Sequence, residues 1–348
     1  MYIALIFTLA FVCITYWLQQ RSKKKALDGI EYKREAPHML NAPGEPFTLV
    51  TTVTNAGWRV VPLVEVHEKL DEIHHNFKAY LLPRSKLVRR ATVSLPKRGR
   101  YIFSNARVGG GDFLGIEQVM RDFKCWGEVI IHPEKAEGDY ISHALGNFLG
   151  DISVSRFIAP DPILVTGFSE YTGREPMRDI SWPQTLRAGQ MMVKKYDYTT
   201  ELSATVVISL EYLSDTNHKL PYGAAEQIEK CMSIAYAVCS ALDAKKIKYD
   251  LYSNMIAHGH ASSWDHVPEG YGKAHLSHIL EGMGRASLLS SETLDNLVKR
   301  VAMAQMHSSN KSIIFVVPNH EDRARKIIEQ AGSIRSFSII SAERHEIQ

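Results

Sequence analysis

Residues 204–210, ATVVISL, are a short apolar run rich in β-branched side chains, and three similar runs follow: IKYDLYS (247–253), SIIFVV (312–317) and SFSIIS (336–341). Between them lie patterns of helical period. Ala225, Ile228, Met232, Ala235, Cys239 and Leu242 make one apolar stripe. Leu294, Leu297, Val298 and Val301 make a second, and Ala324, Ile327, Ile328 and Ala331 a third. Continuous apolar strands alternating with amphipathic helices predict an α/β sheet covered on both faces and mostly parallel, over 201–344.

Working towards the amino terminus, residues 136–200 read as a connecting segment, and 37–135 as all-β. PGEPFTLVTTVTNAGWRVVPLVEVHEKL (43–70) alternates in places and is rich in Thr and Val. Asn55-Ala56-Gly57 marks a turn between strands, and GGGDFLG (109–115) reads as a flexible loop. Short strands with Gly/Pro turns favour an immunoglobulin-like β-sandwich. Residues 1–20 contain an uncharged apolar run from Tyr2 to Leu18, followed by a basic juxtamembrane linker, 21–36, with Arg21, Lys23, Lys24 and Lys25. That order predicts an uncleaved transmembrane helix touching the lipid bilayer. The positive-inside bias predicts a single-pass membrane protein with its carboxyl-terminal domains in the cytoplasm. The expected class is thus α+β and multi-domain: transmembrane helix, β-sandwich, then an α/β domain.

Forty-one basic and thirty-eight acidic side chains give a net charge of +3, too balanced for nucleic acid as the main partner. Cys13, Cys125, Cys231 and Cys239 show no CxxC spacing and read as reduced and buried.

The densest mixture of charge and large apolar side chains is SEYTGREPMRDISWPQTLRAGQMMVKKY (169–196). It resembles the signature of the bacterial family called domain of unknown function 58. That pattern runs Arg-Glu-Tyr-x-x-Gly-Asp-x-x-Arg-x-Ile-x-Trp, then Ala-Arg, then Leu and a basic pair. Glu170, Tyr171, Arg178, Ile180, Trp182 and Arg187 fall at its spacing. The family's Asp is Glu175 here, its leading Arg is Ser169, its Gly is Arg174, and its Ala before the last Arg is Leu186. Arg98-Gly99-Arg100-Tyr101, Asp112-Phe113-Leu114-Gly115 and His132-Pro133 also resemble the family's amino-terminal half. The resemblance implies a degenerate von Willebrand A-like (Rossmann-like) domain. It also implies association with a MoxR-type AAA ATPase, in a chaperone-like or complex-maturation role.

A von Willebrand A domain commonly holds Mg²⁺ through Asp-x-Ser-x-Ser at the end of its first strand. The matching positions here are Ser209 and Glu211. A neutral hydroxyl does not supply the charge that a hard cation needs, so no metal and no cofactor are expected, even with Asp215 nearby. Glu170 and Glu175 are the minimum for acid–base work, but Arg174, Arg178 and Arg187 would hold both ionised. A structural clamp is the preferred reading of the signature, with Arg178 meeting Glu170 or Glu175 in a partly buried seam and Trp182 turned inward. A partner-docking surface and a catalytic cluster are the alternatives. His258-Gly259-His260 with His266 reads as loop histidine, because i and i+2 do not share a helix face and no Cys or carboxylate motif completes a ligand set. The chain is therefore expected to be a non-enzymatic interaction protein. An enzyme using Glu170, Glu175 and Arg178, or a metal-dependent adhesion module, are the readings it displaces.

Overall fold

The computed structural model describes residues 7–17, 27–35, 40–70, 73–111, 118–158, 160–198, 203–213, 221–259, 264–305, 311–332, 334 and 337–343. Among the described residues β structure predominates, with 42% strand and 32% helix. The chain divides into two compact units, Met1–His132 and Pro133–Gln348.

The transmembrane helix is corrected first. Among the described residues no helix is long and apolar enough to cross a membrane. Helix α1 covers residues 7–17. The eleven described residues rise about 16 Å, against a hydrocarbon core of roughly 30 Å. The expected single-pass membrane localisation falls with it. Tyr2, Leu18, Arg21, Lys23, Lys24 and Lys25 lie outside the described residues.

The first unit contains two β-sheets. Strands β1 (Ile30–Glu35), β2 (Leu40–Asn41), β3 (Pro46–Asn55), β4 (Val61–Leu70) and β5 (Ile73–Leu81) come first. They are followed by β6 (Lys86–Ser94), β7 (Gly99–Phe103), β8 (Ala106–Gly111), β9 (Gln118–Phe123) and β10 (Gly127–Ile131). One sheet has the order β1-β3-β6; the other runs β2-β10-β7-β4-β8-β9, with β5 also on β4. Their inner faces share two cores. Leu27, Ile30 and Val53 meet Val64, Val66 and Val108 in one. Phe47, Leu49 and Val93 meet Phe103, Val129 and Ile131 in the other. Strand β3 shows the cause: its buried positions alternate, so every second side chain enters the core. The arrangement is that of a β-sandwich.

Asn55 makes the β3–β4 turn. Its side-chain oxygen accepts the Gly57 N–H at 3.0 Å, and its amide donates to the Arg59 and Leu82 carbonyls. Gly109, Gly110 and Gly111, read from sequence as loop, are strand. A Cβ on Gly109 would stand 2.8 Å from Met120 Sδ, and one on Gly111 3.1 Å from Leu63 Cβ. Side chains therefore lie close over the strand, and a larger residue at either position would require Met120 or Leu63 to shift.

The second unit opens with helix α2 (Asp139–Ile158), strand β11 (Pro160–Glu170), a 3-10 turn (Met177–Asp179), helix α3 (Trp182–Ala188) and strand β12 (Met192–Tyr198). Next come β13 (Ser203–Ile208), α4 (Ala224–Ala244), β14 (Lys248–Ser253), β15 (Met255–Ala257) and β16 (His266–Gly270). It ends with α5 (Lys273–Arg285), β17 (Ala286–Ser290), α6 (Leu294–Gln305), β18 (Ser312–Val317), α7 (Glu321–Gln330) and β19 (Phe337–Ser341). The main sheet has the order β16-β14-β13-β18-β19. All its pairings are parallel except that of β16 with β14. Val207, Phe315 and Val317 pack with Leu297, Val301 and Ile328 of α6 and α7. Val206 and Ile208 point to the other face and are equally buried, and α4 packs on β13, β14 and β18. With both faces covered, the central strands are apolar throughout rather than alternating. Cys231 and Cys239 are buried free thiols, whereas Cys13 is exposed and Cys125 half-buried.

Candidate functional site

The signature segment is a hairpin with a folded tip. Strands β11 and β12 pair antiparallel, with Glu170 opposite Met192. Between them the chain is tied back by backbone bonds: Tyr171 N–H to the Met191 carbonyl and Ser181 N–H to the Met192 carbonyl, both at 2.8 Å. Ile180 bridges to Val193, and these two side chains are buried. Thr185 Oγ1 accepts the Met192 N–H at 3.0 Å. Helix α3 closes on Gly189, whose φ of 70° suits a residue without a side chain.

The charged residues look outward. Arg178 has a side chain 86% exposed, and its nearest carboxylate is Asp179 Oδ1 at 3.9 Å. Glu170 and Arg187 are exposed, and Tyr171 is half-buried. Glu175 accepts the Thr172 hydroxyl at 2.8 Å and the Thr172 N–H at 3.0 Å. Those bonds, the hydroxyl first, hold its carboxyl below the usual carboxylate range. Tyr196 donates to Asp179 Oδ1 at 3.3 Å; desolvation first, then the Asp179 charge, raises its phenol.

The clamp expectation is therefore corrected. Arg178 does not meet Glu170 or Glu175 in a buried seam. The tip satisfies its carboxylates locally, and the arginine stays in water, avoiding the desolvation that burial imposes. Trp182 is 61% exposed. Pro183 does not bend the chain away from helix at this point; it sits in the first turn of α3, where its missing N–H costs nothing. One helical turn later Leu186 is 85% exposed. Positions i and i+4 share a helix face, so Trp182 and Leu186 form an exposed apolar pair on a helix whose Gln184 and Thr185 are half-buried. Met177, at the 3-10 turn, is 71% exposed. The sequence held one signal for this: Leu186 stands where the resembled pattern has alanine.

Ser209 and Glu211 lie just beyond the carboxyl end of β13, within a closed polar network. Asn254 accepts the Leu210 N–H at 2.7 Å and donates to Ser209 Oγ at 3.3 Å and the Glu292 carbonyl at 3.0 Å. Asn319 bonds both backbone groups of Leu213, at 2.9 and 2.8 Å. The Glu211 carboxylate accepts the N–H of Leu294, the first residue of α6. Ser209, Asn254 and Asn319 are buried. Sequence reasoning missed both asparagines, which are single polar residues following apolar strands. Among the described residues, no three His, Cys, Asp or Glu side chains are grouped to hold a metal ion. Asp215 and His260 lie outside the described residues. His258 bonds through its backbone to Arg285, and His266 stacks on Tyr252 at 4.3 Å between ring centroids.

No family model matches the chain, and no curated protein matches it at a significant level. Solved structures are similar only distantly. A CARDB domain from Pyrococcus furiosus, determined with di-metal ions, is 14% identical over 29% of this chain and 93% of that one, with a TM-score of 0.22. A sporulation control protein from Bacillus subtilis is 11% identical over 41% of this chain and 58% of that one, with a TM-score of 0.19. An exo-β-N-acetylglucosaminidase from Vibrio harveyi is 9% identical over 87% of this chain and 59% of that one, with a TM-score of 0.20. Scores this low carry no functional argument.

Proposed function

We propose that the chain is a non-enzymatic interaction protein that docks a partner through residues 169–196. One observation carries this reading: Trp182 and Leu186 stand exposed on one face of a short helix that is itself locked to β12. Tryptophan and arginine dominate interface energetics, and an anchor already held in place loses little entropy on binding. Arg178 and Arg187 flank the pair in sequence and supply polar rim. The resemblance to the domain of unknown function 58 family makes a MoxR-type AAA ATPase the expected partner, in a complex-maturation role. It also supports reading the α/β unit as a degenerate von Willebrand A-like domain.

The test is binding of the full chain to a purified ATPase of that type, with and without nucleotide. The double variant Trp182→Ala, Leu186→Ala is expected to lose binding by at least about tenfold while melting like the parent, since hot-spot truncations cost ~2 kcal/mol or more. Parental affinity in the double variant would sink the reading.

A further inference from the structure

We propose that the outer face of the larger β-sheet in the first unit is a binding groove for a phosphate-bearing small molecule, held by Arg107 and Lys69. The groove encloses about 560 Å³, within the range usual for small-ligand sites. Its floor follows from strand register. Asn76 pairs with His67, His67 with Arg107, and Arg107 with Asp122, across β5, β4, β8 and β9. Directly opposed residues share a face, so these four side chains form one row. Lys69 lies two residues beyond His67 and shares that face. Ser104 and Asn105 close one end.

Arg107, His67 and Lys69 thus occupy adjacent positions on the face, and Glu65, two residues before His67 on the same face, lies 3.6 Å from His67 and 3.4 Å from Lys78. Asp122 is the carboxylate in the row, and it accepts Arg107 Nε at 3.0 Å. Among the described residues no protein acceptor is bonded to the two terminal nitrogens of Arg107, which leaves the fork that matches a phosphate. Lys69 adds a point charge, and Asn76 and Asn105 can donate hydrogen bonds, whereas the Ser104 hydroxyl already donates to the Lys69 carbonyl at 3.4 Å. Met120 and Glu68 complete the lining, and the Glu68 carboxylate is taken by the hydroxyls of Tyr32 and Thr51. The groups left to a ligand are therefore mainly donors. The site lies in the first unit and is independent of the docking reading of residues 169–196.

The experiment is calorimetric titration of the full chain with ribose 5-phosphate, and with ribose as the neutral control. A flotation arm uses phosphatidylcholine vesicles with and without phosphatidylglycerol. Arg107→Gln and Lys69→Gln change exposed side chains, so the fold is retained. Ribose 5-phosphate is expected to bind and ribose not to. Each substitution should weaken binding roughly tenfold or more, the size of a charge-assisted hydrogen bond. Lys326→Gln, at an exposed position of α7 in the second unit, should leave it unchanged. If only phosphatidylglycerol vesicles bind, and the same two variants abolish that binding, the groove stands and the phosphate belongs to a lipid headgroup. Equal binding of ribose, binding that ignores both substitutions, or no binding in either arm overturns the proposal.

Discussion

Two side chains test how local environment sets energetics. Arg178 is solvated, so Arg178→Ala is expected to change unfolding free energy by no more than ~0.5 kcal/mol, as surface substitutions do. A loss near 3 kcal/mol in denaturant melts would restore the buried clamp. Lys311 is the contrasting case. Its ammonium lies 2.6 Å from Glu269 and 3.1 Å from Asp250, with only 14% of the side chain exposed. Burial alone would lower its pKa, but the Glu269 hydrogen bond and the Asp250 charge outweigh burial, and the net shift is upward. A raised lysine contributes stability that is complete below its unfolded value and lost as pH climbs through the folded one. Stability is therefore expected to hold to about pH 10 and fall above it. Lys311→Met should flatten that alkaline loss, and it should cost about 3 kcal/mol or more at neutral pH by stranding Asp250. An unchanged alkaline limb in the variant would refute the assignment. From the sequence, Arg178 and Lys311 were indistinguishable, because pairing across a sheet is a property of register, not of neighbours in the chain.

At the scale of elements, apolar period was a good guide where both faces of a strand are covered. The runs quoted at 204–210, 247–253, 312–317 and 336–341 coincide with β13, β14, β18 and β19 to within about two residues. Period was a poor guide where something else decides. The glycine run at 109–111 is strand because β4 and β9 pair with it on both sides. The predicted stripe holds at Ile228, Met232, Ala235, Cys239 and Leu242 but begins at buried Ala224, since Ala225 is exposed. The amino-terminal apolar run was legible as helix over its described residues, 7–17. Glu211 shows how a residue suspected of metal binding can serve an element instead. Its carboxylate takes a backbone N–H at the start of α6, where the helix dipole also favours negative charge. Glu211→Ala is expected to cost ~0.5–2 kcal/mol, and saturating Mg²⁺ to leave the melting temperature of the parent unmoved. A parental shift of several degrees with Mg²⁺, abolished in the variant, would return the position to metal chemistry.

Over the whole molecule, the five tryptophans divide unequally between the two units. Trp58 and Trp126 in the first unit are 75% and 69% exposed, as are Trp17 and Trp182 at 57% and 61%. Trp264 in the second is 1% exposed. Its indole donates to the His278 carbonyl at 3.0 Å and lies on Gly282 of α5. A red shift of tryptophan emission on unfolding therefore reports the α/β unit, whereas far-UV circular dichroism reports both. Gly282→Ala makes use of that difference. A Cβ there would stand 2.3 Å from the buried ring. Neither the ring nor the helix backbone has room to give, so the overpacking cost of ~1–3 kcal/mol exceeds the helix-propensity gain of under about 1. The apolar clusters Val53–Val108 and Phe47–Ile131 belong to the first unit, and the Val207–Ile339 cluster belongs to the second. Each unit thus has its own core, and the lesion strikes only one. The fluorescence midpoint in denaturant is expected to fall, while the part of the circular dichroism transition that comes from the β-rich unit stays in place. A single transition, coincident by both probes and displaced as a whole by Gly282→Ala, would mean that the two cores melt as one cooperative body.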